Sequence, residues 1–306
     1  MPHQKERSLD LDRLNQRHSL PDRLRFAPGP GGLPTAFVTA DSCQGSLVLQ
    51  GAHVLHFQPR GQQPVLWASR HSFFSPGRPI RGGIPVCWPW FGAHPSDPAK
   101  PGHGFARTSA WEVRETGSTA QGVWLELGLA SNPTTLALWP HPFSLRLRAV
   151  FGTQLQVELR ARNNGDQSVT CTGALHSYFA VSRASDLCIT GLEGSSYFDK
   201  VGGAPLQQEG PIRIIAETDR VYQDTTAECV VEDPGLGRRI HISKEGSHST
   251  VVWNPWSAKA ARLEDFGDEE YLGMVCVETA NAASDQIALP PGKGHRLQTT
   301  IRVEPI

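Results

Sequence analysis

Two arginines and a histidine lie among glycines, prolines and aromatic residues in two neighbouring stretches of the chain, 81–92 and 103–107. Arg81 and Arg107 carry planar guanidinium groups that suit a carboxylate or a phosphate. The two glycines that follow Arg81 let a ligand or another backbone approach closely. Residue types alone leave two interpretations open. The stretches are either a rigid, anion-attracting pocket lining, or a buried loop with aromatic core residues and solvated arginines.

A single carboxylate, Glu278, lies in the apolar stretch 273–280. Burying an unpaired carboxylate is costly, so this group must be paired, hydrogen-bonded or shifted towards its neutral form. Such a group is a candidate general base. The alternative is a glutamate at the end of a strand that reaches water, or one that pairs with an arginine for structural reasons.

A histidine, His176, lies in the stretch 172–180, which we predict to belong to one long strand over Val169–Val181. Strand alternation places His176 on one face with Ala174 and Tyr178. This face offers a small residue on one side of the imidazole and an aromatic hydroxyl on the other. The alternative is a core histidine that is satisfied by a backbone carbonyl.

Acidic side chains elsewhere are weaker candidates. Asp219 precedes a short strand and could accept hydrogen bonds from sugar hydroxyls, although a turn-forming role is the stronger explanation of this residue taken alone. Asp199 competes for the same role. The acidic run 264–270 is expected to be a solvated loop.

Composition limits the class of protein. The chain has 306 residues and a formal net charge of −1, without a basic block, so we expect no nucleic-acid partner. Its six cysteines form no C-x-x-C pair, which argues against a zinc or thioredoxin-type site and favours reduced, buried thiols. No apolar run has membrane-spanning length. We therefore expect a soluble, cytoplasmic protein, without a membrane partner, that acts as a monomer.

Many short segments of alternating polarity, separated by glycine and proline turns, predict an all-β protein with a large antiparallel β-sandwich. A short helix is expected at Ser8–His18, capped by Ser8, and a helical tendency appears at Ala258–Asp265. We expect residues 1–32 to form an N-terminal extension and residues 33–306 to form a single catalytic domain.

Common catalytic motifs are absent from the sequence. We find no G-x-S-x-G elbow, no P-loop, no H-E-x-x-H and no dinucleotide-binding glycine motif. Hydrolase, nucleotide-hydrolysing, metalloprotease and Rossmann functions are therefore not predicted.

Several motifs, taken in order, resemble a known family. They are R-G-G-I-P-V-C-W-P-W-F-G, H-G-F-A-R-T-S-A-W, L-H-S-Y-F, V-V-W-N-P-W and M-V-C-V-E-T-A-N. From about Leu33 to its end the chain is similar to the hexose-6-phosphate mutarotase (glucose-6-phosphate 1-epimerase) branch of the aldose 1-epimerase superfamily. This resemblance implies a galactose-mutarotase-like β-sandwich that interconverts the α and β anomers of a hexose 6-phosphate, a small-molecule sugar phosphate.

The resemblance also implies site residues. It places catalytic groups at His176 and Glu278, sugar contacts at His103 and Asp219, and phosphate recognition at Arg81 and Arg107. The chemistry of ring opening agrees with one base and one acid, and it requires no cofactor and no metal. In this scheme Glu278 is the base and His176, held protonated by a nearby carboxylate, is the acid. A flat aromatic side chain such as Trp88, Trp90 or Phe91 would pack against the CH surface of the sugar.

Two other functions stay open at this point. A mutarotase for unphosphorylated aldoses would share the acid–base pair but would have little use for the two arginines. A non-catalytic sugar-phosphate-binding protein would bind the ligand without accelerating the exchange of its anomers.

Overall fold

The computed structural model describes residues 10–306, which form antiparallel sheets with few helices. The strands are β1 (Leu24–Pro28), β2 (Pro34–Thr39), β3 (Cys43–Val48), β4 (His53–Pro59), β5 (Val86–Cys87), β6 (Glu112–Thr119), β7 (Gly122–Ala130), β8 (Phe143–Phe151), β9 (Gln154–Asn163), β10 (Val169–Cys171), β11 (Gly173–Leu175), β12 (Tyr178–Ala180), β13 (Cys188–Thr190), β14 (Ser196–Asp199), β15 (Ala204–Gln207), β16 (Thr218–Tyr222), β17 (Cys229–Asp233), β18 (Arg238–Glu245), β19 (Ser249–Asn254), β20 (Met274–Asn281), β21 (Ile287–Leu289) and β22 (Gly294–Pro305). The α-helices are α1 (Leu11–His18), α2 (Pro133–Leu138) and α3 (Trp256–Ala260).

Two eight-stranded sheets form the sandwich. The first, called here the site sheet, has the order β15-β14-β16-β19-β20-β11-β5, with β12 also pairing with β20. The second has the order β13-β17-β18-β22-β9-β8-β7-β6. A four-stranded sheet, β1-β2-β3-β4, and a short pair, β10 with β21, complete the strands. The prediction of an all-β, antiparallel sandwich is confirmed.

Alternation along β20 separates the hydrophobic core from the outer face of the site sheet. Val275 and Val277 belong to the core cluster that also contains Leu147 and Leu159 of the second sheet. Met274, Cys276 and Ala280 belong to a separate cluster on the other face. Because side chains of even and odd number point to opposite faces of a strand, Glu278 lies on the outer face.

The predicted strand Val169–Val181 is instead divided into three. β10 pairs with β21 outside the site sheet, while β11 and β12 both pair with β20. The breaks lie at Thr172 and at His176 and Ser177. At the second break the backbone N–H of His176 donates to the carbonyl of Pro85 at 3.1 Å. The alternation inferred for this segment holds, because Leu175 and Phe179 lie in the core.

The described part of the N-terminal segment packs onto the rest of the protein. The predicted cap Ser8 lies outside the described residues; α1 begins at Leu11, and the side chain of Asp10 accepts from the N–H of Arg13. The strand β1, which we did not predict, pairs along its length with β2. The helix predicted at Ala258–Asp265 is found at Trp256–Ala260. None of the helices within residues 10–306 is long and apolar enough to cross a membrane.

The turn after Arg81 provides a test of how tightly this region is packed. Gly83 has φ +59°, and a Cβ there would lie 2.3 Å from the carbonyl oxygen of Val54 and 2.6 Å from Nε2 of the buried His53. Gly61 has φ +77° but faces open space. We expect Gly61→Ala to lower the free energy of unfolding by about 1 kcal/mol through backbone strain alone. Gly83→Ala should lower it by about 3 kcal/mol, since a clash is added.

Urea denaturation of the two variants measures this difference. Equal losses of stability would contradict the close packing of the turn against β4.

Candidate active site

Glu278 and His176 meet on the outer face of the site sheet. The side chain of Glu278 is 1% exposed, and its Oε1 lies 3.3 Å from Nε2 of His176. The imidazole is held in place by Tyr178, whose ring stacks on it at a centroid distance of 4.6 Å and an interplanar angle of 8°. Two residues that are remote in sequence thus form one acid–base pair.

Burial favours the neutral form of both partners. The pKa of Glu278 is raised well above its ordinary value, first by burial and then by the negative charge of Asp219. The pKa of His176 is lowered well below its ordinary value by burial, by His103 and by the positive charges of Arg81 and Arg107. This differs from our expectation of a protonated His176, because burial first, and then His103 and the two arginines, disfavour a charged imidazole.

The remaining hydrogen-bonding capacity of the pair is free. Nδ1 of His176 and Oε2 of Glu278 have no partner among residues 10–306. Both atoms are buried, so each keeps hydrogen-bonding capacity that no contact within the described chain uses. Cys276, on the same face, brings its sulfur within 4.8 Å of both groups, so the three side chains have the donor set of a metal site.

His103 forms one wall of the site. Its ring centroid lies 5.8 Å from that of His176 and 4.9 Å from that of Phe91. Its Nδ1 accepts from the backbone N–H of Gly92 at 3.3 Å, so a neutral ring carries its proton on Nε2 and offers a donor. Burial, together with Arg107, Lys200 and Arg81, lowers the pKa of His103 to about 3.

Arg81 lies close to His176 but is not a free cation. Its Nε and Nη2 donate to Oδ1 of Asp265 at 3.2 and 3.0 Å, and its Nη1 donates to the hydroxyl of Tyr178 at 3.2 Å. Since Tyr178 stacks on His176, the guanidinium is joined to the acid–base pair through one phenol ring. Arg107 donates through Nη2 to the carbonyl of Gly102 at 2.7 Å, beside His103.

The acidic run 264–270 is more than the solvated loop we expected. Asp265 is 7% exposed and pairs with Arg81. The carboxylate of Glu270 accepts from Ser69 Oγ at 2.6 Å and from the backbone N–H groups of Arg70 and Gly267 at 2.9 Å each. The run therefore connects the segment before Arg81 to the site sheet and orients the guanidinium.

Asp219 lies on the other side of the pair. Its strand, β16, is separated from β20 by β19, and Asp219 pairs in register with Trp253, which pairs in turn with Cys276. Burial raises the pKa of Asp219 against the effect of Lys200 and Lys259. Asp199, the competing candidate, is used locally, because its side chain accepts from the backbone N–H of Val201 at 3.0 Å.

Trp88 lies in the core instead of beside the pair. Alternation through the short strand β5 turns Cys87 towards the site face and Trp88 towards the second sheet. The indole packs at a centroid distance of 4.6 Å from Phe143 on β8. This placement does not support a sugar contact from Trp88. The aromatic ring that reaches both imidazoles is Phe91, 6.5 Å from the ring of His176.

Two larger cavities lie next to these residues. One of about 400 Å³ opens beside Phe91 and is also lined by Trp90 and Trp139. The other, of about 1030 Å³, lies along the acidic run and is lined by Trp67 and Phe266. Neither is lined by His176 or Glu278, so we take the convergence of side chains, and not cavity size, as the guide to the site.

Comparison with known proteins identifies the family of the chain. The family described as aldose 1-epimerase matches residues 37–302 of the chain. The chain belongs to the aldose 1-epimerase family. The resemblance inferred from the motifs is confirmed.

Relatives within this aldose 1-epimerase family are similar along most of their length. A Salmonella typhimurium protein named "Putative glucose-6-phosphate 1-epimerase" is 37% identical over 262 residues, which are 85% of this chain and 87% of the relative. A crystal structure described as a "putative mutarotase" from Salmonella typhimurium has a TM-score of 0.88 at 34% identity and covers 94% of this chain and 96% of its own. A galactose mutarotase-like protein from Clostridium acetobutylicum shares the fold, with a TM-score of 0.71 at 13% identity, over 92% of this chain and 98% of its own.

Sequence analysis missed three residues of this candidate site. Tyr178 carries a signal, since alternation places it beside His176, but its stacking and its bond to Arg81 require coordinates. Asp265 is hidden in an acidic run. Lys200 lies in an ordinary turn, and only the fold brings its Nζ within 5.3 Å of the centroid of Phe91.

The protonation of His103 can be tested by NMR. Because its pKa is lowered to about 3, we expect ring ¹⁵N shifts of the Nε2–H tautomer that do not change between pH 8 and pH 5. The signals are assigned by their loss in His103→Asn, and the urea-unfolded chain gives the reference, in which histidines titrate near about 6.5. The unfolded chain binds a proton that the folded chain does not, so this residue makes stability fall as the pH drops below about 6.5. A midpoint near the unfolded value would contradict this assignment.

Proposed function

We propose that the chain is a hexose-6-phosphate mutarotase that interconverts the α and β anomers of glucose 6-phosphate without a cofactor or metal. The observation that carries the proposal is the 3.3 Å approach of His176 Nε2 and Glu278 Oε1 on the outer face of the site sheet. The family, and the names of the relatives, support the same activity. In this proposal His176 and Glu278 are catalytic, His103 and Asp219 bind the sugar, and Arg81 and Arg107 bind the phosphate. Phe91 replaces Trp88 as the aromatic contact.

The reaction is an exchange of protons at two oxygen atoms. Glu278 removes the proton from O1 of the pyranose while His176 donates a proton to the ring oxygen, and the bond between C1 and the ring oxygen breaks. The resulting aldehyde rotates about the bond between C1 and C2. Closure on the opposite face returns one proton from Glu278 to O1 and the other from the C5 hydroxyl to His176.

The pair needs one proton in total. Before ring opening this proton is on His176 and Glu278 is ionised, and after ring opening it is on Glu278 and His176 is neutral. Burial favours the neutral pair, with the proton on Glu278. The bound substrate must therefore favour the charged pair, with the proton on His176. A phosphate dianion does so, because it compensates the positive charges of Arg81 and Arg107 that lower the pKa of His176. Phosphate binding thus raises the basicity of His176 and prepares it to act as the acid.

The arginines also distinguish this function from its alternatives. An unphosphorylated aldose offers no anion to Arg81, whose side chain is 22% exposed and has only Asp265 as a paired carboxylate within the described chain. A non-catalytic binding protein would not need two buried titratable groups in contact, which cost stability unless they serve a reaction.

Other properties remain predictions. We propose that the protein acts in the cytoplasm, which is consistent with six free cysteines in the described chain. We also propose that it acts as a monomer on a small-molecule sugar phosphate.

The Glu278→Gln variant tests the base. It keeps the shape of the side chain but cannot accept a proton, so we expect the rate of anomer exchange of glucose 6-phosphate to fall by about 100-fold or more. Two-dimensional NMR exchange spectroscopy measures the rate, and circular dichroism shows that the fold is kept. Full activity in this variant would exclude Glu278 as the base, and binding without any acceleration by the wild type would favour a sugar-phosphate sensor.

The Arg81→Ala variant tests phosphate recognition. We expect kcat/KM for glucose 6-phosphate to fall by about 100-fold, while that for free glucose changes by less than about threefold, since charge-assisted contacts to phosphate are lost. Asp265→Asn is the matched control, because it removes the charge of the partner but keeps the guanidinium and an acceptor for it, and it should keep the preference for the phosphorylated sugar. An equal loss for both sugars in Arg81→Ala would favour the mutarotase for unphosphorylated aldoses.

A further inference from the structure

Lys200 is a cation at the mouth of the site for which the proposed reaction has no role. It follows β14, and its backbone N–H donates to the carbonyl of Asp219 at 2.9 Å, which fixes the turn against β16. Its Nζ lies 5.3 Å from the centroid of Phe91 and 3.6 Å from Oδ1 of Asp219. The side chain is 39% exposed, so its ammonium group is accessible to a ligand in the site.

Asp219 lies between two lysines but is not fully engaged by either. Lys259 approaches Oδ2 at 3.8 Å and donates to Glu217 at 3.0 Å instead. Both distances to Asp219 are longer than the 2.7–2.9 Å or so that is typical of a charge-assisted hydrogen bond. A hydroxyl group placed between Lys200 and Asp219 could accept from the ammonium and donate to the carboxylate, which would satisfy both.

The sheet order indicates which hydroxyl this is. Asp219 is carried by β16, on one side of β20, whereas Arg81 precedes β5, on the other side. In a pyranose ring the carbon atom opposite C5, which bears the C6 phosphate group, is C2. A substrate with its phosphate at Arg81 and C1 at the acid–base pair therefore directs C2 towards Lys200 and Asp219.

We propose that Lys200 and Asp219 together bind the C2 hydroxyl of the hexose and select substrates that carry it. This inference rests on the proposed function. Holding C2 in place also serves the mechanism, because the aldehyde at C1 must rotate about the bond between C1 and C2 while the rest of the open sugar stays in place.

The test compares glucose 6-phosphate with 2-deoxyglucose 6-phosphate. Anomer exchange is measured by NMR, and the uncatalysed rate of each sugar is subtracted. For the wild type we expect kcat/KM to be about tenfold to a hundredfold higher for glucose 6-phosphate, as for one hydrogen bond to a charged group. Lys200→Met should lower this ratio severalfold, chiefly by slowing glucose 6-phosphate, because Asp219 alone still accepts from the C2 hydroxyl, and Lys200→Arg should restore part of it.

Lys259→Met is the matched control, since it removes the other lysine near Asp219. It should keep the wild-type ratio even if both rates fall. If the ratio in Lys200→Met equals that of the wild type, whether or not both rates fall, Lys200 does not bind the C2 hydroxyl. A ratio near one in the wild type would contradict this inference alone. A wild type that accelerates anomer exchange in neither sugar phosphate would contradict the proposed function as well.

Discussion

The contact between a buried carboxyl group and a buried imidazole is the interaction on which the site depends. Burial of both groups raises the free energy of the state in which they are charged. Their mutual attraction, which is strong in a poorly polar environment, lowers this free energy again, so the proton can move in either direction. The energy difference between the two positions of the shared proton is therefore set by the neighbouring charges. Asp219, Arg81, Arg107 and Lys200 are these charges, and each reaches the pair from a different segment of the chain.

The sandwich is well suited to hold such a pair. The strands of the site sheet bury one face against the second sheet, and the opposite face is free to carry reactive groups at fixed spacing. Neighbouring strands contribute Asp219, Trp253 and Cys276 to one row and Val251 and Glu278 to another. The arginines come from the loops around β5, where Asp265 and Glu270 hold the backbone and side chains that the sheet cannot reach. The strands thus supply rigidity and the carboxyl groups of Asp219 and Glu278, and the loops supply the two arginines.

The sequence predicted those features of the fold and of the site that depend on a local pattern of residues. Period-two alternation gave the fold class, and it also placed His176 with Tyr178 and left Glu278 as an anomaly in an apolar strand. The same rule applied to Val86–Cys87 would have turned Trp88 into the core, but a strand of this length was not recognised among prolines. The contacts of Asp265 with Arg81 and of Lys200 with Phe91 join segments far apart in the chain. No local pattern encodes them, so they required the three-dimensional arrangement.

The double role of β20 has a consequence for the evolution of this protein. The strand packs the interior with its odd-numbered residues, Val275 and Val277, and places Cys276 and Glu278 on the outer face of the site sheet. Exchange of one aliphatic residue for another can occur on the inner side without disturbing the reactive side. Insertion or deletion of a single residue would instead exchange the two faces of the strand, placing the carboxyl group in the hydrophobic core and a valine on the outer face. Related sequences should therefore differ by aliphatic substitutions in this strand but not by insertions or deletions.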